Sequence, residues 1–176
     1  MWAVVRDAII IPMSARAGLP DQLTGVRYRA PALGGDQVDY GLLTGLTGFS
    51  VKLVWILGHA LLSREFGESG ITPHRFSVLE VIGSNPGLQQ TQLATALALS
   101  RPATTLAIDF WEERGCVERR DIPGDRRSFG VFLTPEGESE LRRLRALVSA
   151  ADAALVADLT EAETAELQRL LRKIHR

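Results

Sequence analysis

Apolar residues recur at Leu42, Leu46, Phe49, Leu53, Ile56 and Ala60, with steps of four, three, four, three and four. That is one face of an α-helix, and it predicts a long helix from Asp36 onward. Gly41, Gly45 and Gly48 lie inside the pattern, each costing about 1 kcal/mol relative to Ala. Either these small residues admit a closely packed second helix, or the segment is a mediocre helix with fraying ends. Near the C-terminus, Thr134-Pro135-Glu136 reads as a helix start: a capping hydroxyl, a proline in the first turn, an acid on the positive end of the dipole. Leu141, Leu144, Val148, Ala151 and Leu155 continue it in a three-four rhythm. Thr160-x-x-Glu163 is a capping box for a last helix, with Leu167, Leu170, Leu171 and Ile174 as its buried face. Arg172, Lys173 and Arg176 complement its C-terminal dipole. Apolar stripes at both ends of a small chain predict a dimer built from its termini.

The middle of the chain has shorter periods. Thr72-Pro73 starts a helix with Phe76, Leu79 and Ile82 inward, ended by Asn85-Pro86-Gly87. A short helix follows from Gln90 to about Leu97. Ser100 caps another that runs to Glu113, stops at Gly115, and buries Thr104, Ala107, Ile108 and Trp111. Short helix, tight turn, longer helix is a helix-turn-helix. Cys116–Asp121 and Ser128–Leu133 then read as two strands, the second alternating Phe129, Val131 and Leu133, around a turn at Ile122–Arg126. A hairpin directly after a helix-turn-helix is a wing.

Residues 1–35 differ from the rest. Pro12, Gly18, Pro20, Gly25, Pro31, Gly34 and Gly35 interrupt every helical period. They form a loosely ordered arm, in which Met13 is an alternative first residue, or an arm that crosses onto a partner subunit and buries Ala3-Val4-Val5 and Ile9-Ile10-Ile11.

The composition is globular, with 45% apolar, 23% charged and 6% aromatic residues in a chain of 176. With 20 basic and 21 acidic residues the net charge is −1, so affinity for nucleic acid does not come from bulk charge. All the cations but Lys52 and Lys173 are arginines, whose planar fork suits phosphates and base edges. One cysteine, Cys116, excludes an internal disulfide, and His59, His74 and His175 are too scattered for a zinc site. No membrane-spanning run occurs, and Ala8–Met13 is too short for a signal-peptide core, so a reducing cytoplasm is expected. No Gly-rich phosphate loop, nucleophile elbow, metal spacing or carboxylate pair appears, so neither an enzyme nor a bound cofactor is expected.

Ile71-Thr-Pro-His-Arg-Phe-Ser-Val-Leu79, Gln92-Leu-Ala94, Leu99-Ser-Arg-Pro102, Trp111-Glu-Glu-Arg-Gly-Cys-Val-Glu-Arg119, and Asp125-Arg-Arg-Ser128 running into Leu133-Thr-Pro-Glu-Gly137 carry a resemblance. This text resembles the MarR (multiple-antibiotic-resistance) family of winged-helix transcription regulators, and the similarity extends over roughly residues 36–176. It implies a mainly α fold with a small β-hairpin wing: a winged helix-turn-helix at 71–134, a dimerisation helix at 36–70, and dimerisation helices at 135–176. It further implies a homodimer on double-stranded, pseudo-palindromic operator DNA, acting as a repressor released by a small aromatic or phenolic effector. A DNA-binding module with no small-molecule ligand, and a redox sensor acting through Cys116, are the alternatives.

The DNA-facing residues follow from chemistry as much as from resemblance. Arg101 can reach phosphate or guanine edges, Thr105 can hydrogen-bond or touch a thymine methyl, and Ser100 with the free amides of its helix can hold a phosphate. Gln90, Thr91 and Gln92 open the preceding helix and suit backbone contacts that set register. Leu106 stands outward where family members often carry Arg, and Asp109 is acidic on the same helix, so the electrostatic contribution should be weak. In the wing, the resemblance gives Arg127 a minor-groove role with Asp125 orienting it, beside Arg126 and Ser128. Residues 100–130 hold six arginines and six acids, which leaves this stretch neutral. Cys116 occupies a position where the family usually has an apolar residue, which favours a buried, inert thiol. Trp55, His59 and His74 either line a pocket for the effector, as related regulators bind small aromatic anions near there, or are ordinary packing and a surface histidine.

Overall fold

The computed structural model describes residues 39–122 and 125–175, with the side chains of residues 122 and 125–128 outside what is described. The arm at 1–35 therefore lies outside the described residues, as does the expected helix start at Asp36. The described chain divides into two compact units, one of residues 39–61 and 151–175, the other of 62–150.

The larger unit holds the helix-turn-helix. Its elements are the end of α1 (Thr47–Phe66), α2 (Pro73–Ser84), β1 (Leu88–Gln89), α3 (Gln90–Ala96), α4 (Arg101–Glu112), β2 (Val117–Ile122), β3 (Asp125–Leu133) and most of α5 (Pro135–Leu155). Thr72 caps α2 by accepting from the Arg75 amide at 3.2 Å, and Pro73 takes the first turn, where its missing N–H costs nothing. Val78, Leu79 and Ile82 of α2, Leu93 of α3, Ile108 and Trp111 of α4, Val131 of β3 and Leu141 and Leu144 of α5 form one buried core. Each large side chain so buried contributes roughly 1.5–3 kcal/mol. Phe76, expected inward, is only partly buried against this core and packs on Phe66, with ring centroids 6.2 Å apart. The Trp111 indole donates to the Arg75 carbonyl at 2.8 Å, which fixes α4 against α2. Segments 62–70 and 135–150, grouped by sequence with dimerisation, thus supply Phe66, Leu141 and Leu144 to the same core as the helix-turn-helix.

The turn between α3 and α4 closes by a paired pattern. The Leu99 amide donates to Ala94 O at 2.9 Å and the Ala98 amide to Thr95 O at 3.2 Å, a Schellman arrangement. Its left-handed position is Ala98, at φ 50°, where glycine is the usual residue. Ala98→Gly is therefore expected to raise stability by about 1 kcal/mol, read as a higher urea midpoint at unchanged slope. An unchanged or lower midpoint would contradict it.

The hairpin is accompanied by a third strand that the sequence did not reveal. The antiparallel order is β1-β3-β2, with Leu88 opposite Val131 and Gln89 opposite Gly130. β2 runs from Val117 opposite Leu133 to Asp121 opposite Phe129, and the register then shifts so that Ile122 faces Asp125. Cys116 lies just before β2, and the second strand starts at Asp125 rather than Ser128 because pairing extends to the hairpin end. Gly130 allows β1 to approach: a Cβ there would stand 2.8 Å from Gly87 O. At the hairpin base, the Thr134 amide donates to Cys116 O at 3.1 Å. The Thr134 hydroxyl donates to Gly115 O at 2.6 Å and accepts from the Gly137 amide at 3.0 Å. One residue thus closes the hairpin and caps α5.

The smaller unit contains a 3-10 helix (Gly41–Gly45), the first part of α1, the end of α5 and α6 (Glu161–Ile174). The α-helix begins at Thr47, because Leu46 is extended (φ −94°, ψ 120°) and Gly41 is left-handed (φ 52°). Among the described residues no atom lies within 4 Å of a Cβ built at Gly41, Gly45 or Gly48, so the close helix contact expected there is not made by them; a Cβ built at Gly58 would instead stand 3.4 Å from Leu155 Cδ2. The capping box of α6 forms as expected: Glu163 accepts from the Thr160 amide at 2.8 Å and Thr160 from the Glu163 amide at 3.3 Å. Its apolar face, however, is not buried. Leu167, Leu170, Leu171 and Ile174 are 37–70% exposed. With Val51 and Val54 of α1 they line an apolar groove of about 420 Å³. An amphipathic helix needs a cover, and the described residues do not supply it. No described helix is long and apolar enough to cross a membrane.

Candidate nucleic-acid interface

Arg101, Pro102 and Ala103 in the first turn of α4 are exposed. Ser100 accepts from the Ala103 amide at 3.3 Å, and its carbonyl takes the Thr104 amide at 3.0 Å. Pro102 has no N–H. The amide of Arg101 is left as the first-turn donor not engaged in this cap, so the expected row of free amides narrows to one beside the exposed Arg101 side chain. Thr104 is fully buried and donates to Ser100 O at 3.0 Å, which removes it from the surface as its helical phase predicted. Leu106 is 67% exposed.

Two polar residues expected to face DNA instead hold elements in place. Gln92 accepts from the Gln89 amide at 2.9 Å and completes the capping box of α3. Gln90 donates to the Thr105 hydroxyl at 2.5 Å, while that hydroxyl donates to Arg101 O at 3.0 Å. Thr105 is thereby oriented by α3, and its methyl and remaining lone pair are what it can offer a base. Thr91 is exposed at the opening turn of α3.

The acids of α4 also have a partner that sequence reading missed. Arg119 of β2 pairs through one guanidinium nitrogen with Asp109 and through the other with Glu112. Arg120, the next residue, pairs with Glu118 on its own strand. Alternation along β2 could have hinted at this, since neighbours point to opposite faces. Asp125, Arg126, Arg127 and Ser128 belong to the first residues of β3, and their side chains lie outside the described residues.

Cys116 is 6% exposed, and burial pushes its thiol above the ordinary range, with Glu140 reinforcing the shift and Arg114 opposing it. Such a thiol holds little thiolate and is a poor sensor. Trp55 is 63% exposed, so it is not core packing within one subunit. Its ring lies 5.4 Å from that of His59, also exposed, in the smaller unit. His74 is exposed on α2 in the larger one. Among the described residues no group of three His, Cys, Asp or Glu could hold a metal ion.

Comparison with known proteins agrees with this architecture. A family model described as "MarR family" matches residues 69–128. A protein of Thauera aromatica named as a transcriptional regulatory protein for the hcr operon is 32% identical over 138 residues, 78% of this chain and 83% of that one. The repressor CouR, solved bound to a 23-mer DNA duplex, superposes with a TM-score of 0.74 at 31% identity, covering 80% of this chain and 99% of CouR. Rv2887 of Mycobacterium tuberculosis, solved in complex with salicylic acid, gives a TM-score of 0.62 at 28% identity, covering 73% and 96%.

Proposed function

Because the chain belongs to the MarR family of DNA-binding transcriptional regulators, we propose that it is a homodimeric repressor of a pseudo-palindromic operator, released by a small aromatic carboxylate. The observation that carries the DNA reading is α4. Its first turn turns Arg101 to solvent while Thr104, Ile108 and Trp111 anchor the helix from behind. In this reading Arg101, the Arg101 amide and Thr105 meet the major groove. Thr91 and the Ser100 cap meet phosphates, with Gln90 and Gln92 fixing register from inside. Arg127 enters the minor groove, oriented by Asp125 and flanked by Arg126 and Ser128. The uncovered groove between α1 and α6 supports the dimer, since a second copy would bury it. Two recognition helices about 34 Å apart then reach successive major grooves.

Release is assigned to Trp55 and His59 of the smaller unit, with His74 of the larger unit a separate candidate contact. An exposed indole with an imidazole 5.4 Å away offers a ring face to an aromatic carboxylate. Salicylic acid on Rv2887 supports that ligand class. A ligand that binds the DNA-incompetent state better weakens operator affinity by its differential affinity, about 1–3 kcal/mol, or roughly 5- to 150-fold. The experiment titrates a duplex selected by the protein from a random pool, with and without salicylate, in wild type and Trp55→Ala. Salicylate is expected to weaken the wild-type complex, and Trp55→Ala to blunt that effect while leaving DNA affinity nearly unchanged. Identical salicylate effects in both proteins would place the effector site away from Trp55, and no effect in wild type would favour a DNA-binding module without this ligand class.

A further inference from the structure

Arg101, Thr105, Asp109 and Glu112 lie at spacings of four, four and three along α4, so they share one helix face. Two carboxylates therefore lie on the side of the recognition helix proposed to enter the major groove, where they should repel the polyanion. Both are captured by one side chain. Arg119 forks to Asp109 and Glu112, and its guanidinium lies 5.4 Å from the Phe129 ring of the neighbouring strand. Its Nε is buried without a hydrogen-bond partner among the described residues, so the group is held at a cost in solvation that the two carboxylates and the Phe129 ring offset. The carboxylates are 42% and 39% exposed and the Arg119 side chain 23%, so the cation is the more deeply seated partner.

We propose that Arg119 is a positioning residue for operator binding: it neutralises the acids of the recognition helix and ties the first wing strand to that helix. It touches no DNA in this arrangement. This rests on the reading of α4 as the DNA-facing helix, and Asp109 then ceases to count against that helix.

The test compares Arg119→Gln, Arg119→Lys and the triple variant Arg119→Gln/Asp109→Asn/Glu112→Gln, with Arg101→Ala as the check on α4 itself. The probes are a duplex selected by the wild-type protein from a random pool and an unselected duplex of equal length. Melting temperatures and dimer content are recorded alongside. Arg119→Gln is expected to weaken binding of the selected duplex at least tenfold. Removing the acids in the triple variant is expected to restore most of that loss, which a merely structural defect would not allow. Arg119→Lys, which keeps the charge but not the fork, should fall between; its affinity decides the matter if Arg119→Gln does not fold. Full wild-type affinity in Arg119→Gln, or a loss that the triple variant does not recover, overturns the proposal. If Arg101→Ala also leaves affinity unchanged, the reading of α4 fails; if only Arg101→Ala weakens binding, α4 stands and the Arg119 assignment falls.

Discussion

Gly137→Ala is expected to destabilise the protein by about 3 kcal/mol or more. A Cβ at this position would stand 1.8 Å from Cys116 O and 2.8 Å from its carbonyl carbon. Both are backbone atoms just before β2, so no rotamer change relieves the overlap. Moving the start of α5 instead would break the Thr134 bonds to Gly115, Cys116 and Gly137 together. Gly83→Ala is the control. Its Cβ would meet Leu141 Cδ2 at 2.5 Å and Leu133 Cδ1 at 3.0 Å, the ends of side chains that can turn away. Urea unfolding at one fixed subunit concentration should place the Gly137→Ala midpoint far below that of Gly83→Ala. Equal midpoints would mean that the junction between hairpin and α5 yields easily.

Val54→Glu combined with Leu170→Glu should convert the protein to a monomer and lower operator affinity roughly 100-fold or more. Val54 is 51% and Leu170 43% exposed in the single subunit, and both line the apolar groove of the smaller unit. In the proposed dimer, carboxylates there put charge where the second copy would bring hydrocarbon, and unpaired buried charge is not tolerated. A monomer engages one half-site, losing the high effective concentration with which a dimer presents its second helix. Neither residue belongs to the core of the larger unit, so the helix-turn-helix should stay folded, as circular dichroism would register. Sedimentation and titration of the selected duplex check the result together. A wild-type protein sedimenting as a folded monomer at micromolar concentration would remove the dimer, and a doubly substituted protein that stays dimeric would move the interface elsewhere.

Features decided within a few residues were legible in the sequence. Ser100, Thr134 and Thr160 cap the helices they were expected to cap, because a capping hydroxyl and its amide are only three residues apart. Thr104 and Trp111 were placed in the core by helical phase alone, and both are buried. Features decided at long range were not legible. The two-residue β1 depends on Gly87 and Gly130, which meet only after the wing has folded back. Nothing near Gln90 announces that it will orient Thr105, fifteen residues on. Asp109 looked like an unopposed acid because its partner Arg119 is ten residues away on another element. The leucines of α6 show a different limit. Their amphipathic pattern was correct, but the pattern states that a face needs covering and not which chain covers it.

The closure around Thr134 has a consequence for how such a reader can change. Hydrogen bonds from Thr134 to Gly115 and Cys116 shut the hairpin at its root, and the one Thr134 accepts from Gly137 ties that root to α5, so the strands beyond form a sealed loop hung from a completed frame. Lengthening a closed loop costs only slowly growing entropy. The length of the hairpin is thus adjustable without rebuilding the body that carries it. The adjustment has a parity, however. Side chains alternate along a strand, so residues added as one to each strand keep the pairing but turn the tip over, whereas two to each restore the original face. Variation in wing length should come in matched steps, with the frame at Thr134 left alone.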